Sequence, residues 1–108
     1  MKVINLTPHP IVLDIEGKKI TFPISENIAR VEQTTISTGK MIGGAEVSQS
    51  KFGQVVMPEP IDGTTFIVSS MVLSALNGTR SDVVAPKTDN TAIRNELGHI
   101  VAVKGWLI

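Results

Sequence analysis

Along most of the chain, apolar and polar residues alternate in short β-type runs broken by glycine and proline. The pattern changes character once. Over Gly63–Gly78 a β-branched run, Thr64–Thr65–Phe66–Ile67–Val68, gives way to Ser69–Ser70 and then to Met71–Val72–Leu73–Ser74–Ala75–Leu76, which closes on Asn77–Gly78. A buried strand, a serine cap, an apolar helix and an Asn-Gly stop follow in that order, which predicts one short helix near residues 70–77. No other segment carries a comparable helical signal.

The remaining runs predict strands. Lys2–Leu6 is β-prone and ends at Thr7–Pro8–His9–Pro10, where two prolines remove ladder donors and make a rigid corner or an edge. Ile11–Ile15 and Lys19–Phe22 flank Glu16–Gly17–Lys18, a hairpin signal. Ile28–Ile36 resumes β character, with Arg30 and Glu32 on one face. Ser37–Thr38–Gly39 is expected to turn the chain, after which Lys40–Ile42 and Ala45–Ser48 form a tight hairpin on Gly43–Gly44. Gly53 interrupts the next strand, Lys51–Met57, and marks a bulge or a close backbone approach. Val83–Val84–Ala85 is a short strand halted by Pro86, and Ala92–Arg94 with His99–Trp106 reads as a terminal hairpin. About eight short strands and one helix predict a mainly β (α+β) fold, a small barrel, roll or sandwich with the helix over an open end or face. Alternating βαβ units are not expected, and with them a doubly wound nucleotide fold.

Composition narrows the picture. A length of 108 residues fits one domain spanning 1–108, and 42% hydrophobic against 19% charged residues argues for a folded chain. Ten basic and ten acidic residues cancel, with no basic block, so duplex nucleic acid is not an expected partner. Aromatics are 4%, too few for a platform on which successive bases stack. There is no cysteine, hence no disulfide or thiolate metal site, which fits a reducing compartment. No leader pattern and no long apolar run stand in the chain, so a soluble cytoplasmic protein without membrane contact is expected.

Candidate chemistry is sparse. His9, held between prolines, is either an oriented imidazole or the brace of a corner. His99 has no partner at metal-ligand spacing, so no metal and no cofactor are expected. Ser69 and Ser70 either cap the helix or leave its free N–H groups to an anion. A serine nucleophile is disfavoured, because Val68–Ser69–Ser70–Met71–Val72 lacks the glycines of a nucleophile elbow. Arg80 and Asp82, two apart, either pair with each other or, with Lys87, meet the helix start as a local anion site. Arg30 and Arg94 are further cations. No acid–base pair for an enzyme can be assembled.

Asn5–Leu6–Thr7–Pro8–His9, Ile28–Ala29–Arg30–Val31, Phe52–Gly53 before Met57–Pro58, Gly63–Thr64 leading to Ile67–Val68–Ser69–Ser70, Arg80–Ser81–Asp82–Val83–Val84–Ala85–Pro86, and Arg94 before Gly98–His99–Ile100 together carry a resemblance. Across essentially the whole chain, the sequence resembles a family of small uncharacterised proteins of bacteriophage and prophage genomes. The resemblance implies a location in the cytoplasm of an infected bacterial host and action by binding. Two readings follow from it. One is a counter-defence sponge that sequesters a nucleotide-derived immune signal, with Thr7, His9, Arg30, Ser69, Ser70, Arg80, Asp82 and Lys87 as ligand-binding residues. The other is a structural or accessory phage protein, a particle component or an inhibitor of a host protein, acting through exposed β edges. The apolar ending Trp106–Leu107–Ile108 leads either reading to expect a homo-oligomer.

Overall fold

The fold is mainly β with one short helix, as the pattern predicts; it is described from a computed structural model over residues 2–108. In chain order the elements are β1 (Lys2–Asn5), β2 (Ile11–Ile15), β3 (Lys18–Phe22), β4 (Arg30–Ile42), β5 (Ala45–Val56), β6 (Thr64–Ile67), α1 (Ser70–Leu76), β7 (Val83–Pro86), β8 (Ile93–Arg94), β9 (Ile100–Ala102) and β10 (Trp106–Leu107). A four-stranded sheet runs β1-β6-β7-β10, and three two-stranded ribbons, β2-β3, β4-β5 and β8-β9, surround it.

The central sheet corrects one expectation. β1 and β7 both pair with β6 in parallel, and α1 connects β6 to β7, so one βαβ unit is present. The connection is short enough to escape a search for repeated units. It consists of a seven-residue helix and the loop Asn77–Asp82, and it returns Val83 beside Phe66. Ser69 begins it in extended conformation and accepts a hydrogen bond from the Val72 N–H at 3.2 Å, the expected N-cap. Asn77 ends it in the left-handed region, its N–H bonding the Leu73 and Ser74 carbonyls, and Gly78 continues at φ +76°.

Register places Phe66 and Val83 on one face of the sheet, and α1 covers that face. Leu6, Phe66, Val68, Val72, Leu76 and Val83 form the core there, with Val31 and Val55 packed against it from the base of the β4-β5 ribbon. Phe22 and Trp106 close a second contact, their rings meeting edge-on with centroids 5.7 Å apart. Because the Phe22 carbonyl is bonded to Asn5 in β1, this ring pair links one edge of the sheet to β10 at the other.

Three predicted boundaries move. Ser37–Thr38–Gly39 does not turn the chain. It forms a bulge, with Gly39 at φ +77°, so β4 runs on to Ile42 and β5 from Ala45 to Val56 without a break. Two strands of 13 and 12 residues therefore replace the shorter pieces expected. Gly53 lies at a second irregularity, where a β-carbon would sit 3.1 Å from Glu32 Cβ, so the close approach expected of this glycine is present. The predicted strand His99–Trp106 is cut short at Ala102: β9 pairs with β8, while Trp106–Leu107 cross to pair antiparallel with Pro86 and Ala85.

Candidate functional site

Parallel order fixes which predicted residues can meet. β1, β6 and β7 run the same way, so their carboxyl ends, carrying Thr7, Ser69–Ser70 and Lys87, lie at one edge of the sheet. Arg80 and Asp82 precede β7 and lie beyond the other end of α1. A helix of seven residues rises about 10 Å. The structure therefore does not bring Arg80 to the Ser69–Ser70 helix start, and the convergence of Arg80, Lys87 and that helix start is absent.

At the carboxyl edge the chemistry is structural. Asn5 is 2% exposed and organises the corner that follows it. Its Nδ2 donates to the carbonyls of His9 and Phe22 at 2.8 and 3.0 Å, and its Oδ1 accepts from the Thr7 N–H at 2.9 Å. The Thr7 hydroxyl lies 2.7 Å from Asn5 Oδ1 and 2.8 Å from the His9 carbonyl, sharing its one proton between them. Ser25 Oγ donates to the Asn5 carbonyl at 2.7 Å. Every polar atom of the buried side chain is thereby matched. Thr7 is spent on this network, and His9 contributes its carbonyl to it while the residue itself is exposed. Lys87 sits 3.6 Å from Asp89 in a half-exposed pair, a contact that contributes little. The cleft nearest this edge, beside Pro10 and Pro86, measures about 110 Å³ and is lined mostly by apolar residues.

At the opposite edge, Arg80 and Asp82 form a two-pronged pair. Arg80 Nε donates to Asp82 Oδ1 and Nη2 to Oδ2, both at 2.8 Å, with side chains 17% and 18% exposed. Nη2 also reaches the Pro58 carbonyl at 3.2 Å, tying the connector after β5 to this loop. The guanidinium's hydrogen bonds hold the Asp82 carboxyl below its usual range, and the carboxylate raises Arg80 in turn. Of the two readings of this pair, mutual engagement is the one the geometry has. Arg30 stands exposed at the start of β4, and Arg94 donates to the Gly98 carbonyl at 2.8 Å.

An open cavity lies beside Arg80. It measures about 570 Å³ and is bounded by the C-terminal half of α1, the following loop, Val83 and Ile108. Its lining mixes aliphatic Leu73, Leu76, Val83 and Ile108 with polar Ser74, Asn77, Arg80 and Ser81. Of these, sequence reasoning found only Arg80. Ser74 sits in mid-helix and Ile108 ends the sequence, and no local pattern links them. Asn5 was also missed as the organiser of its motif, although an asparagine two residues before Thr-Pro is the arrangement an Asx turn requires.

Among the described residues no three His, Asp or Glu side chains gather as ligands for a metal ion. No helix there is long and apolar enough to cross a membrane. No protein-family model, curated protein or solved structure matches the chain.

Proposed function

We propose that the protein is a small-ligand binder whose site is the cavity beside Arg80, and that its ligands are nucleotide-derived signals held without chemical change. The carrying observation is the mixed aliphatic and polar lining of that cavity. Its volume falls within the roughly 300–1,000 Å³ usual for ligand sites. The aliphatic side chains suit the flat face of a base, and the polar ones suit ribose hydroxyls. Arg80, which lines the cavity, is held by Asp82 in a geometry already set, so little ordering cost falls on binding. Because Asp82 balances the arginine, the site selects for sugar and base more than for phosphate charge. A sponge for an immune signal of a bacterial host, the reading that the phage-family resemblance introduced, needs no more than this.

Calorimetry with cyclic dinucleotides and ADP-ribose derivatives tests the reading. Ser74→Trp, at an exposed helix position, fills the cavity without disturbing the core and is expected to weaken binding at least tenfold. Chromatography of released ligand is expected to return it unaltered. No heat with any of these compounds, or equal affinity in the Ser74→Trp variant, removes the proposal.

A further inference from the structure

The β4-β5 ribbon is the largest part of the molecule that the fold leaves unexplained. Only its base packs on the core, through Val31 and Val55, and nearly every residue from Glu32 to Gln54 is exposed. The radius of gyration, 16.7 Å, exceeds the ~13 Å of a compact chain of about 100 residues, as an arm that leaves the body requires. A two-stranded ribbon is marginal in water by itself, whereas three or more strands sharing an apolar face hold together. Cross-strand register puts Ile36, Ile42, Ala45 and Val47 on one face of the ribbon, interspersed with Thr34, Lys40, Gln49 and Lys51, and all of these but the half-buried Val47 are exposed.

The two edges of the arm differ. The bulge at Thr38–Gly39 places two extra residues on β4, which blunts that edge, whereas the irregularity at Gly53 adds its extra residue to β5, beyond Phe52. From Ala45 to Phe52, β5 adds no extra residue to the ladder and contains no proline, and among the described residues it pairs with no strand but β4. We infer that this edge of β5 pairs antiparallel with the same edge of a second copy, giving a four-stranded sheet β4-β5-β5-β4 across a two-fold axis.

The second copy is the occupant that fits. A regular antiparallel edge is self-complementary under a two-fold axis, so one operation satisfies both rows of N–H and C=O groups. The faces that carry Ile36, Ile42, Ala45 and Val47 in the two arms then become one continuous surface, supplying the strand number that a lone ribbon lacks. The arm carries Arg30, Lys40 and Lys51 against Glu32 and Glu46, and the chain has a formal net charge of +0, so two copies meet without general repulsion. Eight residues of edge span about 27 Å, which with side chains on both faces covers roughly 500 Å² per copy. The total of about 1,000 Å² reaches the lower bound of a specific interface. Full overlap of Ala45–Phe52 puts the axis at Ser48 or Gln49, because residues opposite one another must share a face. The expected oligomer thus rests on the arm. Of Trp106–Leu107–Ile108, the basis for expecting one from sequence, Trp106 and Leu107 are built into the central sheet and Ile108 stands exposed.

Sedimentation of the full chain is expected to show twice the 11.6 kDa chain mass at micromolar concentration. The triple substitution Ser48→Lys, Gln49→Lys, Ser50→Lys, at exposed positions, sets like charges across the axis in either register and is expected to return one chain mass. Because the protein has no cysteine, Ser48→Cys and Gln49→Cys, made singly, report the axis directly. One of them is expected to give a covalent dimer on mild oxidation, and this readout stands even if the lysine variant misfolds. A wild-type monomer at all concentrations, a lysine variant that remains dimeric, or failure of both cysteines to cross-link overturns the inference. The first result would leave the arm to a different partner.

Discussion

Asn5→Asp is expected to lower the unfolding free energy by about 4 kcal/mol at neutral pH, read as a fall in the urea midpoint with an unchanged slope. The substitution keeps the shape of the side chain and removes only its two N–H donors. In their place an acceptor-only oxygen faces the His9 and Phe22 carbonyls, which now hold the Nδ2 at 2.8 and 3.0 Å. The Phe22 carbonyl left unmatched costs about 1–3 kcal/mol, the His9 carbonyl keeps only the Thr7 hydroxyl, and the buried charge adds to the loss. Since such a carboxyl titrates above its unfolded value, the variant's deficit grows as pH rises through the folded pKa and shrinks in acid. A loss below 1 kcal/mol would show that the corner is held by Pro8 and Pro10 and not by the asparagine.

Asp82→Asn is expected to cost about 2 kcal/mol at pH 7, between the values of exposed and fully buried ion pairs, given side chains 17% and 18% exposed. The pH dependence identifies the cause. Asp82 is held below its ordinary 3.8 by Arg80, so the folded chain binds that proton more weakly than the unfolded one. Stability from the pair is complete above about pH 4 and drains away as pH falls through the folded value. Asparagine does not titrate, so the gap between the two proteins should narrow as pH falls through the folded value in chemical denaturation. Arg80→Lys should not preserve the pair, because an ammonium cannot supply the two parallel bonds made by Nε and Nη2. A gap that is constant from pH 7 to pH 2 would assign the effect to packing.

The helix and its caps were legible because their signals are local. Ser69 to Val72 and Asn77 to Leu73 are contacts within one turn. The hairpin turns at Glu16–Gly17 and Gly43–Gly44 were legible for the same reason, since all four residues adopt the positive φ that such turns need. The parallel pairing of β6 with β7 was not. It depends on where Val83 returns after the helix, which no residue type encodes. Gly39 misled because a positive φ serves a bulge as well as a turn, and the choice between them lies in the pairing of Lys40 with Val47 across the ribbon. For the site, the affinity of Arg80 for Asp82 was readable from their spacing. The cavity was not, because its walls come from α1, the loop after it and Ile108, which only the fold assembles.

The central sheet takes its strands from residues 2–5, 64–67, 83–86 and 106–107. During synthesis it cannot be whole before residue 107 has left the ribosome. Until β1 closes about sixty residues of chain onto β6, the contiguous β6-α1-β7 segment is the part whose contacts are local enough to form early. Through that interval the edge of β6 that β1 will cover is open, and Phe66, Ile67 and Val68 beside it are among the most deeply buried residues of the finished protein. A chain built in this order is exposed to wrong partners while it is being made, and in the finished fold the Asn5 corner holds that edge shut.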